Sequence, residues 1–305
     1  MSEHVRFRSG KDTIVGVLTR PSNQVGAAPL VVMAGGWCYV KEVVMPHYSR
    51  YFNEVGCATL YFDYRCFGES SGVPRQYVDP WAQIEDYRNA LSFAETIDGI
   101  DQSHVGVWGI SYSGGHVLVV SAIDPRPAFA MSIVPVIDGY RTMQRGHGEV
   151  AFGRLNKLIM EDRGRRFAGD PGGYMPMSTE TPEKELTTWP FVGTYRGFQK
   201  IKKGEAPRHE HRNTIESTEL LTHYNALPYC RRIVDIPVHM AVTAGDIYTH
   251  SDSQAEAFNA ITNPDKKYVS VPGVDHMSIY TDRNHLAKVA KIQADWLKTV
   301  VGAPC

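Results

Sequence analysis

The sequence predicts an α/β protein: a mostly parallel sheet flanked by helices and interrupted once by an inserted helical cap. Three observations lead there. Short apolar runs alternate with amphipathic stretches across residues 1–139, the pattern of strands joined by crossover helices. The same alternation resumes at residues 231–305. Residues 140–230 break it, being rich in charge, glycine, proline and aromatics, with no repeat and no low-complexity tract. One sheet domain, 1–139 with 231–305, carrying a 140–230 cap or lid fits this better than two domains in series.

Each element has its own signal. Residues 4–9 and 13–20 read as an opening hairpin turned at Gly10-Lys11-Asp12. Residues 29–34 are a continuous apolar run closed by Gly35-Gly36, as a strand buried on both faces should be. A helix is expected over 46–55, stopped by Gly56, then a buried strand over 57–64 and a turn-rich stretch at 68–72. Residues 79–97 form the clearest helix of this half. Asp79 suits the N-cap, Pro80 the first helical position, and Trp81, Ile84, Tyr87, Leu91 and Ala94 share one stripe. A strand at 104–110, a helix at 112–122 and a strand at 128–136 continue the alternation, with right-handed crossovers. Short helical pieces are expected near 150–167, 181–186 and 217–224. Beyond them come a strand at 238–243, a helix at 251–260, a strand at 268–271 and a long helix at 284–300.

Composition narrows the function. Hydrophobic residues are 43% and charged residues 21% of the 305, ordinary globular usage that excludes disordered, collagen-like and coiled-coil classes. Basic residues number 32 against 33 acidic, so no net field recruits nucleic acid or an anionic membrane. The longest nearly charge-free apolar run, residues 30–40, is too short to span a bilayer. The opening residues lack the apolar core of a secretory signal. Five cysteines (Cys38, Cys57, Cys66, Cys230, Cys305) are odd in number and never spaced C-x-x-C, which fits a reduced, cytoplasmic protein.

The residue with the sharpest chemical signal is Ser111, in Gly109-Ile-Ser111-Tyr-Ser113-Gly114. It stands where an apolar strand meets an apolar helix, on a tight turn that lifts the hydroxyl above the strand end. The neighbours two positions away must be small; Gly109 is, and Ser113 replaces the commoner glycine, with Gly114 next. The helix that starts there aims N–H groups and its positive dipole end at the serine. A serine needs a base oriented by a third group. His276 follows a strand in a Pro-Gly-Val-Asp-His turn, and Asp246 closes the strand Val-His-Met-Ala-Val-Thr. Both lie beyond strand ends, where catalytic groups gather in open parallel sheets. Asp138 also follows a strand and is the competing acid, while Asp275 is read as shaping the turn. Donors for an oxyanion are expected from the backbone N–H groups of Tyr112 and of Trp37, after Gly35-Gly36.

Other constellations are read as structural. His209-Glu210-His211 is taken as a solvated loop, since no zinc-type partner set accompanies it. Arg163, Arg165 and Arg166 are taken as an exposed face, and Trp189, Phe191, Tyr195 and Phe198 as packing. No G-x-G-x-x-G stands for a dinucleotide.

The chain resembles the α/β-hydrolase superfamily through Asp63-Tyr-Arg65-Cys-Phe-Gly68-Glu-Ser70, Gly109-Ile-Ser111-Tyr-Ser113, Ala244-Gly-Asp246 and Asp275-His276. More narrowly it resembles the polyketide transferase and dienelactone-hydrolase-like branch, through residues 36–42, Pro74-Arg75, Asp79-Pro80 and 83–91. The specific likeness covers about residues 30–140. It implies Ser111 as nucleophile, Asp246 as acid and His276 as base. The expected activity is a serine hydrolase cleaving an ester, thioester or activated amide of a small organic substrate through an acyl-enzyme. Acyl transfer to an alcohol or amine is the alternative, then a serine aminopeptidase-like enzyme; a non-catalytic binder is disfavoured. No cofactor or metal is expected. The partner is a small acyl substrate, without nucleic acid or membrane, and a homodimer is left open.

Overall fold

The computed structural model describes residues 2–22 and 24–302; Cys305, one of the five cysteines, lies outside them. The chain opens with β1 (Ser2–Ser9) and β2 (Asp12–Thr19), an antiparallel hairpin whose last pair is Ser9 with Asp12. β3 (Ala28–Ala34) follows, with Leu30 through Ala34 fully buried, then α1 (Met45–Glu54) and β4 (Ala58–Phe62), also buried throughout. Strands covered on both faces favour apolar residues throughout rather than at alternate positions, and both runs follow this save for Thr59, whose buried hydroxyl is paired with Ser49 Oγ. α2 (Pro80–Ala94) starts as expected: Asp79 Oδ1 accepts from the N–H groups of Trp81 (2.9 Å) and Ala82 (3.2 Å).

β5 (Ile100–Ile110) leads through Ser111 into α3 (Tyr112–Ile123), and β6 (Ala130–Ile133) follows. α3 is buried on every side from Tyr112 to Ser121, which is why its sequence carries no polar face. Each valine or leucine of that helix contributes roughly 1.5–3 kcal/mol by leaving water. Gly106 in β5 lies against Phe129, and a Cβ there would come within 2.2 Å of the ring.

Between β6 and the next sheet strand the chain forms α4 (Gly139–Phe167), β7 (Tyr174–Pro176), α5 (Val192–Gly204), β8 (Arg212–Thr214), α6 (Ile215–His223) and α7 (Leu227–Cys230). The sheet resumes with β9 (Val238–Thr243), α8 (Ser251–Ala260), β10 (Lys266–Val271), α9 (Ser278–Thr281) and α10 (Arg283–Val301). The eight strands run in the order β1-β2-β4-β3-β5-β6-β9-β10. β2 pairs antiparallel with β4, and every pairing from β4 to β10 is parallel. β5 is thus central, and the carboxyl ends of β5, β9 and β10 open on one edge.

The intervening segment departs from the sequence reading in three ways. α4 begins at Gly139 and is kinked at Gly148 (φ 70°, ψ 166°), a conformation only glycine adopts without strain, so the helix is longer than 150–167. Residues 181–186 form turns, not a helix. α5 has no counterpart among the helical pieces the sequence predicts. Its buried residues Thr194, Gly197, Phe198 and Ile201 keep helical spacing, but Gly193, Gly197 and Thr194 hide it from propensity. Among the described residues no helix is long and apolar enough to cross a membrane.

Candidate active site

Ser111 sits between β5 and α3 with φ 58° and ψ −115°, a conformation a side-chain-bearing residue rarely adopts. Strain of about 1–3 kcal/mol persists only where the surroundings over-determine the backbone. Here they do. Ser111 N–H donates to the Ile133 carbonyl (2.8 Å), and Val136 N–H donates to the Ser111 carbonyl (3.0 Å). Ser113, at the position where glycine is commoner, ties the turn to β3: its Oγ accepts from Ile110 N–H and donates to the Ala34 carbonyl, both at 2.8 Å. Gly109 is obligatory, since a Cβ there would lie 2.2 Å from the Ser113 carbonyl oxygen. The Ser111 side chain does not cap α3, so the first-turn N–H of Tyr112 has no side-chain acceptor.

His276 follows β10 in a turn shaped by Asp275, whose Oδ1 accepts from the N–H groups of Met277 (2.9 Å) and Ser278 (3.0 Å). Its Nδ1 stands 2.9 Å from Asp246 Oδ2. Asp246 is held from every side. Oδ1 accepts from the N–H groups of Tyr248 and Thr249, and Oδ2 also accepts from Thr249 Oγ1 (2.8 Å) and Gln254 Nε2 (3.2 Å). Burial alone would raise this carboxyl, but the adjacent His276 and the hydrogen bonds from it and Thr249 hold it well below the ordinary carboxylate range. The Tyr248 ring lies over the imidazole at 5.0 Å and 30°. In the sequence nothing separates Tyr248, Thr249 and Gln254 from ordinary residues at the start of a helix. Asp138 is elsewhere: its Oδ1 caps α4 through Arg141 N–H (3.0 Å), and its Oδ2 accepts from Asn225 (3.3 Å).

Ser111 and His276 face one narrow cavity of about 20 Å³. Its walls are Trp37 and Tyr39 from the loop after β3, Met177, Trp189 and Phe198 from the 140–230 segment, and Met277. Thr194, Tyr248 and Thr249 complete the lining, so no Asp, Glu, Lys or Arg side chain faces it among the described residues. Trp37 N–H makes no backbone hydrogen bond among the described residues, and the indole is anchored by Nε1 donating to Asn213 Oδ1 (3.1 Å). Trp189 and Phe198, read from the sequence as packing, are both packed and part of this wall; Phe191 and Tyr195 lie outside it.

Two expectations are corrected. His209 and His211 are not in a solvated loop. The backbone bends at His211, where Arg212 N–H donates to the Glu210 carbonyl (2.8 Å). His209 is fully buried, 5.0 Å from the Phe198 ring, and its Nδ1 donates to the Cys38 carbonyl (3.1 Å). His211 bridges His209 Nε2 (3.3 Å) and Ser178 Oγ (2.7 Å), while Glu210 and Arg212 point outward and pair with each other. No group of three metal-ligating side chains forms among the described residues. Arg166 likewise is not on an exposed face: it pairs with Asp162, Glu216 and Glu219, whereas Arg163 and Arg165 are more than half exposed.

Burial holds four imidazoles neutral, lowering His116 and His209 from 6.5 to about 3 and His211 and His239 to about 4. A folded-state value below the unfolded one means stability is complete above about pH 6.5 and is lost as the pH falls toward the folded value. Each group contributes up to about 1.4 kcal/mol per pH unit in that window. The urea midpoint should therefore hold steady above neutrality and fall steeply between about pH 6.5 and 4. A flat midpoint across that window would contradict the burial.

Comparison with known proteins adds a family. Residues 10–169 match the X-Pro dipeptidyl-peptidase (S15 family) model. A thiohydrolase, aneE, of Aspergillus aculeatus is 30% identical over 287 residues, covering 90% of this chain and 84% of that protein. The quorum-quenching protein AidA of Acinetobacter baumannii is 27% identical, covering 97% and 94%. Among solved structures, the alpha/beta hydrolase GrgF from Penicillium sp. sh18 superposes with a TM-score of 0.82 at 22% identity, over 98% of both chains.

Proposed function

The chain belongs to the X-Pro dipeptidyl-peptidase (S15) family and is a hydrolase of the α/β-hydrolase fold, and from that premise we propose that it cleaves small, uncharged esters or thioesters through an acyl-enzyme on Ser111. The observation that carries the reading is the geometry at the sheet edge. A strained serine shares a cavity with His276, whose far nitrogen lies 2.9 Å from a buried carboxylate. Nδ1–H donated to Asp246 leaves Nε2 unprotonated and free to take the Ser111 proton as Oγ attacks the carbonyl carbon. The oxygen of the tetrahedral intermediate accepts from the N–H groups of Trp37 and Tyr112. On collapse, His276 returns the proton to the leaving thiolate or alkoxide, and water then attacks the acyl-enzyme by the same route in reverse. Residues 140–230 act as the cap that shapes the acyl pocket.

Pocket chemistry supports the substrate class. At about 20 Å³ the cavity is far smaller than the usual ligand site, and its aromatic and thioether walls suit a small apolar acyl group. A peptide's free amino terminus needs a carboxylate partner, and none lines the cavity among the described residues. A fluorophosphonate probe should label Ser111, and a ladder of p-nitrophenyl esters and acyl thioesters should peak at short chains. Phe198→Ala should move that peak toward longer chains, by about 1–3 kcal/mol per methylene accommodated. Labelling elsewhere, or faster cleavage of an aminoacyl-prolyl anilide, would overturn the reading.

Acyl transfer is the second reading. Ser111 and His276 are only 6% and 5% exposed, so water reaches an acyl-enzyme poorly and an alcohol or amine acceptor competes well. Adding a small alcohol to the ester assay separates the two: ester exchange outrunning hydrolysis favours transfer.

A further inference from the structure

Tyr280 belongs to α9, one helical turn beyond His276, and is fully buried. Its ring lies 5.8 Å from the His276 imidazole and 5.6 Å from the Tyr39 ring, edge-on to the latter. Gly36 brings Tyr39 and the serine together: a Cβ there would lie 3.1 Å from Ser111 Cβ and 3.2 Å from Tyr39 Cζ. Within this cluster the Tyr280 hydroxyl is shut off from solvent and forms no hydrogen bond among the described residues. The hydroxyls of Ser111 and Tyr39 stand close enough to influence its ionisation, yet neither contact has hydrogen-bond geometry.

A buried, unsatisfied hydroxyl destabilises the fold, and phenylalanine would fill the same space without that cost. The group is therefore unfavourable for the fold and adjacent to the proposed nucleophile. Resting on the Ser111 reading, we infer that Tyr280 is a further catalytic residue whose Oη–H donates to Ser111 Oγ when the serine hydroxyl turns toward the substrate. The bond forms again when Oγ leaves the acyl group in deacylation. Tyr280 keeps its proton throughout, because burial lifts the phenol well above its ordinary range; the proton exchanged with Oγ travels only to and from His276. The hydroxyl is a donor to the attacking oxygen, distinct from the backbone groups at the carbonyl oxygen.

The test is Tyr280→Phe, assayed with p-nitrophenyl butyrate and with a fluorophosphonate. The expected result is kcat lowered about 10–100-fold, KM within about twofold, labelling of Ser111 slowed in parallel, and a melting temperature unchanged or raised. Turnover and labelling within twofold of the parent would overturn the inference alone. So would a loss confined to KM, or one that accompanies a lowered melting temperature. A parent protein unlabelled at Ser111 would overturn the serine reading, and this inference with it. Should the variant not fold, tetrafluorotyrosine at position 280 decides. Its far more acidic phenol should bring an alkaline loss of labelling into measurable range, and the absence of that loss overturns the inference.

Discussion

Ser111→Ala should lower kcat by about 10⁴–10⁶-fold while leaving the folded state intact. The expected size follows from how such sites share their work. Once the nucleophile is gone, binding and oxyanion donors still give a residual acceleration of about 10³–10⁴ over water, and the rest is lost. The fold should survive because the Ser111 side chain neither caps α3 nor forms a hydrogen bond among the described residues, while the backbone bonds to Ile133 and Val136 do not depend on it. Alanine inherits the same positive φ and so the same strain. The check is single-turnover kinetics on variant protein whose melting temperature lies within a few degrees of the parent. Turnover within tenfold of the parent would end the covalent-serine mechanism.

Asp246→Asn should be nearly as damaging, with a loss of about 10⁴ in kcat. Asparagine keeps the shape but presents an amide where His276 Nδ1–H needs an acceptor, which favours the wrong tautomer. It also forfeits the charge that would stabilise the imidazolium formed during attack. Asp138→Asn is the control. That carboxylate caps α4 and accepts from Asn225, and asparagine is itself a good N-cap, so the expected change in kcat is less than about threefold. A larger loss for Asp138→Asn than for Asp246→Asn would reverse the assignment of the acid.

Local signals made much of the molecule legible. β3 reads as a buried strand because its run is apolar throughout, β4 because only Thr59 interrupts its apolar run, and α2 because its cap and most of its stripe are written within a few turns, although Trp81 proves to be exposed. The turn at Ser111 is equally readable: a small residue two positions away on either side, an apolar strand before it and an apolar helix after it are all short-range features. His276 and Asp246 stood out through their places after strands.

What the sequence left open depended on contacts far along the chain. Asp246 and Asp138 have the same local surroundings, and only the order β6-β9-β10 sets the first beside His276 while α4 carries the second away. The histidines of the 209–211 stretch look solvated among charged neighbours. His209 is buried and His211 half-buried because Phe198, the Cys38 carbonyl and Ser178 stand on the inner side, while Glu210 and Arg212 pair with each other at the surface. α5 escaped notice since its glycines lower helix propensity, and its stability comes from packing against the sheet domain rather than from its own residues. The sequence by itself determined the strands, the turn and the residue types at the sheet edge, because those rest on patterning within a few residues. Tertiary structure alone decided which acid meets His276, which aromatics wall the cavity and that Tyr280 packs near His276 with its hydroxyl unpaired among the described residues, because burial and pairing across many residues are properties of the packed chain.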